Sequence, residues 1–250
     1  MCLNVAIAGK GGVGKTTLSA ALCRSLARSG EHVLAVDADP NNCLGRALGI
    51  PERVLSQVTP LSEMTELLSE RAGTPGGGGF FALNPKVDDL LERFKVDHDG
   101  ISLLVMGTVD EPGAGCVCPE SAVLKALLRH LVELEEYSLV LDMEAGLEHL
   151  GRGTAQHVGT LLIVVEPTAA SARTAARIAG LAKGLGLRVP GVVVNKARSE
   201  AAKEKVLPYL GGLEIVAVLP ADPAVAESEA VPEAGAYVEA VEGLRGRLEG

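Results

Sequence analysis

The sequence predicts an α/β fold with a doubly wound, mainly parallel sheet. Two observations carry that expectation. Seven short apolar runs recur along the 250 residues, and helix-like segments lie between most of them. The core material is aliphatic: hydrophobic residues make up 47% of the chain, aromatics only 2%, and tryptophan is absent. Val, Leu, Ile and Ala suit a parallel sheet covered by Ala-rich helices, and several runs lack a period of two, as strands buried on both faces do. The length suits one domain spanning residues 1–250.

The elements follow in order. Leu3–Ala8 reads as the first strand, and Gly9 to Thr17 is a glycine-rich loop that opens the helix Lys15–Arg28. Val33–Asp37 is the next strand and runs into Asp37-Ala38-Asp39-Pro40-Asn41. The stretch of about 49–100 breaks the rhythm with Pro51, Pro60, Pro75, Pro85 and the run Gly76–Gly79. It reads as an irregular insertion with short amphipathic pieces such as Leu61–Arg71. Ile101–Met106, Leu139–Asp142 and Leu161–Val165 are further strands, with helices expected at Ser121–Glu135 and Ser171–Leu185. Strands at Val189–Val194 and Ile215–Leu219 close the sheet, with helices at Glu200–Leu210 and Tyr237–Leu248.

Net charge is −9, which disfavours a general affinity for nucleic acid or anionic lipid. No apolar run is long enough for a membrane span, and the first residues lack the charged and small-residue signals of a leader, so a cytoplasmic protein is expected. Five cysteines then suggest metal or redox chemistry rather than a disulfide framework.

Gly9-Lys10-Gly11-Gly12-Val13-Gly14-Lys15-Thr16-Thr17 fits G-x-x-x-x-G-K-[ST] between a strand and a helix. The glycines let backbone N–H groups turn onto phosphate oxygens, and the helix aims its positive end at the same place. Lys15 is expected to reach the β- and γ-phosphates, and the Thr16 hydroxyl to ligate Mg²⁺. The chain therefore reads as an ATP-binding P-loop protein, and an ATPase. Acidic clusters follow two strand ends, Asp37/Asp39 and Asp142-Met143-Glu144-Ala145-Gly146, where parallel sheets put their ligands.

A pair of cysteines, Cys116 and Cys118, sits between Gly113-Ala114-Gly115 and Pro119-Glu120. Two thiolates do not close a metal site, but a symmetric dimer would bring the same pair from each subunit together. Geometry would then select the ion, tetrahedral for Zn²⁺ or near square-planar for Ni²⁺. Burial as small hydrophobes and a redox dithiol are the competing readings. Cys2 and Cys23 read as packing residues, and Cys43 has no assigned role.

Lys10 places the loop with a wider resemblance. The sequence resembles the deviant Walker A ATPases, which include MinD and ParA, the arsenite pump ATPase and the nitrogenase iron protein. The resemblance implies a MinD-like P-loop fold and a homodimer held by ATP, with Lys10 crossing the two-fold interface to the partner's nucleotide. It implies that Asp39 activates the attacking water, that Asp37 and Asp142 hold Mg²⁺ through water, and that Gly146 senses the γ-phosphate. Asn195-Lys196 and Pro220, after the strands Val189–Val194 and Ile215–Leu219, would contact adenine. The strings Gly115-Cys116-Val117-Cys118-Pro119-Glu120 and Asp142 through Thr154, with matches at Ser62-Glu63-Met64 and from Phe81 to Asp88, are similar to the CooC-type ATPases. That likeness implies nickel insertion into carbon monoxide dehydrogenase or acetyl-CoA synthase, with Cys116 and Cys118 as metal ligands. His149, in the matched string, is expected beside the nucleotide, and His157 is expected to be structural. Two rival readings are an iron–sulfur ATPase of the nitrogenase iron-protein kind and a positioning ATPase of the MinD/ParA kind. The second, in its membrane form, would need a basic C-terminal helix, which Glu239, Glu242 and Glu249 argue against.

Overall fold

The computed structural model describes residues 2–73, 82, 85–107, 119–144 and 158–249. An eight-stranded sheet forms its centre, in the order β3-β4-β2-β5-β1-β6-β7-β8. The strands are β1 (Asn4–Gly9), β2 (Val33–Ala38), β3 (Val96–His98), β4 (Ile101–Val105), β5 (Ser138–Met143), β6 (Thr160–Val165), β7 (Val192–Ala197) and β8 (Ile215–Pro220). All neighbours run parallel except β3 and β4, which form an antiparallel hairpin at one edge.

The aliphatic runs of the sequence are explained by burial on both faces. Along β2, Leu34, Val36 and Ala38 enter one core, and Val33 and Ala35 enter the other. On β1, Ala6 and Ala8 face the first core while Val5 and Ile7 face the second. Helices α1 (Lys15–Arg28) and α9 (Ala236–Glu249) cover the second face, through Leu18, Leu22, Val241 and Leu244. Helices α4 (Thr65–Ala72), α6 (Pro119–Val132) and α7 (Ala169–Leu185) cover the first, through Leu68, Leu127 and Ile178. The stripe on the last helix is thus committed to the core: Tyr237, Val238, Val241 and Leu244 are all buried. No helix among the described residues is long and apolar enough to cross a membrane.

Several local expectations are corrected. The strand read at Val189–Val194 begins at Val192 and runs to Ala197, so Asn195 and Lys196 lie within it rather than after it. Pro190 offers no N–H and a Cβ at Gly191 would run into the Glu214 carbonyl, and the ladder starts where Val192 N donates to Glu214 O at 2.8 Å. The helix expected at Glu200–Leu210 is two short 3₁₀ turns, Glu200–Ala202 and Leu207–Tyr209. Pro208 sits inside that pattern and cannot donate to a helical ladder. The described part of the insertion holds more regular structure than its composition suggests: α3 (Glu52–Leu55), a 3₁₀ turn at Leu61–Glu63, α4, α5 (Leu90–Phe94) and β3; the run Gly76–Gly79 lies outside the described residues. Short α2 (Leu44–Ala47) precedes it, and α8 (Pro223–Glu227) follows β8. Cys23 is buried as expected, but Cys2 is exposed, with its thiol on the Glu135 carbonyl at 3.1 Å.

Candidate functional site

The central strands carry the chemistry at their C-terminal ends. In the sheet β5 lies between β2 and β1, so the ends of these three strands converge. The pairing is direct: Asp142 is opposite Asp37 across β2–β5 and opposite Ile7 across β1–β5. The loop after β1 therefore sits beside both buried aspartates.

Backbone conformation shapes the loop. Gly12 and Gly14 adopt φ of 80° and 92°, which a residue with a Cβ resists. Gly14 is the N-cap of α1, and no side chain caps the helix. No acidic residue occupies its first turn, so the helix N-terminus keeps its partial positive charge for an external anion. Strand β7 holds the loop from the side. Asn195 Nδ2 donates to Val13 O at 2.9 Å, and Lys196 Nζ donates to Gly12 O at 2.5 Å. An N–H points opposite to its own carbonyl, so the tie on Val13 O turns the Gly14 N–H away from β7. Gly14→Ala is expected to weaken ATP binding by roughly tenfold or more, since it combines backbone strain with a clash against the Asn195 amide. Isothermal titration would read the loss.

Lys15 is only 7% exposed, and among the described residues it has no ion-pair partner. A buried ammonium of that kind calls for an anion. Asp142 is 1% exposed. Its Oδ1 accepts from Ser19 Oγ at 2.9 Å, and Oδ2 has no hydrogen-bond partner among the described residues. The Thr16 hydroxyl lies beside the same carboxylate. A buried carboxylate with an orphaned oxygen next to a threonine hydroxyl fits a hydrated Mg²⁺, with Thr16 as direct ligand and Asp142 on a metal-bound water.

Asp37 is fully buried; its Oδ1 accepts from Asp39 N at 3.2 Å and its Oδ2 from Leu44 N at 2.9 Å. Burial, then the neighbouring Asp142 charge, pushes its carboxyl up to about 7 against those two bonds. Burial likewise pushes Asp142 up to about 6, opposed by hydrogen bonds from Thr16 and Ser19 and by the Lys15 charge. Both groups bind their protons more tightly folded than unfolded. The stability this contributes is full below about pH 4 and is lost as pH rises through 6 and 7. The ligand-free protein should therefore melt at lower temperature at pH 8 than at pH 5. Asp142→Asn should flatten the dependence and raise the pH 8 melting point by on the order of 5 °C, read by calorimetry.

Asp39 is half-buried, and its Oδ1 accepts from both the N–H and the side-chain amide of Asn41, at 2.9 and 2.8 Å. Lys10 is exposed on the loop. A cavity of about 1120 Å³ runs from Gly11, Gly12, Gly14, Lys15, Thr16 and Thr17, past Asp39, to Asn195, Lys196 and Pro220. The structure thus gathers these sequence-predicted residues around one space, with Gly9 at the strand end below it, Val13 buried beneath the loop, and Asp37 and Asp142 beneath its floor. Gly146, Cys116, Cys118, His149 and His157 lie outside the described residues. Among the described residues no group of three or more His, Cys, Asp or Glu side chains is placed to hold a metal ion. Asp222, next to Pro220 in the turn expected at the adenine, lines the cavity too, and so do Arg198, Cys43 and Tyr237, which the sequence reading missed. Tyr237 was absorbed into an apolar stripe; its hydroxyl was the signal.

Residues 5–233 match the family described as the CobQ/CobB/MinD/ParA nucleotide binding domain. The carbon monoxide dehydrogenase accessory protein CooC of Rhodospirillum rubrum is 44% identical over 93% of this chain and 88% of its own length. An uncharacterized ATP-binding protein of Methanocaldococcus jannaschii is also 44% identical, over 91% of this chain and 88% of its own length. Among solved structures, the MinD cell division protein of Aquifex aeolicus superposes with a TM-score of 0.68 at 24% identity, covering 98% of this chain and 96% of that one. The septum site-determining protein MinD of Pyrococcus horikoshii, complexed with Mg-ADP, gives 0.65 at 21% identity over 100% and 96% of the two chains.

Proposed function

Since the chain belongs to the CobQ/CobB/MinD/ParA nucleotide-binding family, on its CooC-type branch, we propose that it is an ATP-dependent maturation factor that delivers nickel to carbon monoxide dehydrogenase or acetyl-CoA synthase. The observation that carries this reading is the 44% identity to a carbon monoxide dehydrogenase accessory protein over 93% of the chain.

The chain is an ATPase. Lys15 and the N–H groups opening α1 would hold the phosphates, and Thr16 would hold Mg²⁺, whose charge would favour phosphoryl transfer. Asp39 stands at the mouth of the cavity with one oxygen tied to Asn41. Its other oxygen has no partner among the described residues and is free to orient an attacking water. Lys10, exposed on the loop, reaches across to the nucleotide of a second copy, so ATP binds two protomers together. The partnered dimer sets the Cys116/Cys118 pairs facing each other, and four thiolates then grip one Ni²⁺, or Zn²⁺ in its place, as cargo. Nucleotide state drives transfer only if the ATP and ADP forms differ in metal or client affinity.

Nickel bound per protomer, measured in wild type and in Cys116→Ala/Cys118→Ala, tests the metal site. The expected result is about half an ion per protomer in wild type, from one site shared by two chains, and none in the double variant. Equal stoichiometry in both overturns the assignment. Lys10→Ala should keep ATP binding but lose the ATP-dependent dimer, read by sedimentation velocity.

A further inference from the structure

Tyr237 is 2% exposed and lines the nucleotide cavity, yet among the described residues its hydroxyl has no hydrogen-bond partner. It stands on α9, whose neighbouring core positions Val238, Val241 and Leu244 are purely aliphatic. A phenylalanine would fill the same space without burying an unpaired hydroxyl, so packing does not explain the oxygen. The Asn195 amide lies beside the phenol as a donor toward its oxygen, just outside hydrogen-bonding geometry, which leaves the phenol's own proton unplaced. The Asn195 amide nitrogen is a donor already committed to Val13 O, and its oxygen already accepts from Lys196 N at 2.9 Å. Burial holds the phenol protonated well above its usual range, so it remains a donor. What the site lacks is an acceptor.

The chemistry of the surroundings says what kind. The charged groups that suit phosphate, Lys15 and the N-terminus of α1, line the same cavity. Tyr237 shares its wall with Asn195, Pro220 and Ala221, at the ends of β7 and β8. Pro223, Val225 and Ala226 continue that lining with apolar surface, and Asp222 and Lys196 bring charge to it, a mixed wall that suits a base better than a phosphate chain. We propose that the Tyr237 hydroxyl donates a hydrogen bond to a ring nitrogen of the bound purine and is a specificity-determining residue of the nucleotide site. The proposal rests on the reading of this cavity as an ATP site.

Binding of ATP and of 1-, 3- and 7-deaza-ATP to wild type and Tyr237→Phe tests it. Each analogue replaces one acceptor nitrogen by C–H. Tyr237→Phe should bind ATP roughly three- to tenfold more weakly, the loss of one neutral hydrogen bond. One deaza analogue should lose the same factor on wild type and nothing further on the variant. The variant should melt no lower than wild type, since it sheds a buried unpaired hydroxyl. Equal ATP affinity in variant and wild type overturns the proposal while leaving the ATP site standing. So does a loss in the variant that no deaza analogue reproduces, including one matched only by 2′-deoxy-ATP. Failure of wild type to bind ATP at all overturns the ATP site itself and this proposal with it.

Discussion

Lys15→Ala is expected to abolish measurable ATP turnover, a fall of at least roughly 10²–10³-fold, the cost of removing one preorganised charge from a developing phosphoryl transition state. Lys15 is buried, unpaired among the described residues, and directed to the cavity by the first turn of α1. Its charge offsets part of the burial of Asp142, and the rest of it awaits a ligand. That gives the variant a split signature. The ligand-free protein should be as stable as wild type or more so, because a buried unpaired ammonium is gone. The stabilisation by Mg²⁺·ATP, about 3 kcal/mol at a hundredfold excess over Kd for wild type, should vanish. Thermal melts with and without nucleotide read both. A ligand-free protein that unfolds in the variant would mean Lys15 is structural.

Asp39→Asn is expected to have the second-largest effect, with the opposite split. Asparagine keeps an oxygen that can accept from Asn41 N and the Asn41 amide, the bonds that fix the turn at 2.9 and 2.8 Å. It removes the charge that takes a proton from water. ATP affinity should stay within about twofold, while turnover falls by roughly 10²–10⁴, the span for a lost general base. Asp39 is better placed for this than its neighbours. Asp37 is sealed beneath the floor, with both oxygens bonded to backbone N–H groups. Asp142 spends one oxygen on Ser19, and its other is buried beside Thr16. Single-turnover hydrolysis, with binding measured separately, distinguishes loss of chemistry from loss of affinity. Unchanged turnover would move the base elsewhere.

Much of this was legible in the sequence, and the reason is local. The helix after the phosphate loop was read as Lys15–Arg28, the span observed, because the loop motif marks its start and apolar periodicity its extent. Asp37 and Asp142 were placed at strand ends from the apolar runs before them, and the β2–β5 register sets them opposite each other. What stayed hidden depends on tertiary contact. Asn195 was read as a loop residue after a strand, yet it is the strand residue whose amide pins the phosphate loop across 182 positions of sequence. No local pattern encodes that contact. The β3–β4 hairpin has a local signal in Asp99-Gly100, a turn dipeptide with positive φ at both residues, but the strand before it, Val96-Asp97-His98, is not an apolar run. Tyr237 shows the limit of apolar periodicity, which sorts residues by face and ignores a hydroxyl. The short helices of the insertion are shorter than any periodicity window, so composition was the only guide and it suggested irregularity.

The account's central claim is that ATP hydrolysis at the Lys15 site drives nickel delivery from the Cys116/Cys118 pair. The direct measurement is reactivation of nickel-free carbon monoxide dehydrogenase at limiting Ni²⁺, with the protein and Mg²⁺·ATP. The expected result is reactivation that requires both, and that Lys15→Ala and Cys116→Ala/Cys118→Ala each abolish, with acetyl-CoA synthase run in parallel as the alternative client. Reactivation of either client to the same extent without ATP, or with the cysteine variant, would contradict it.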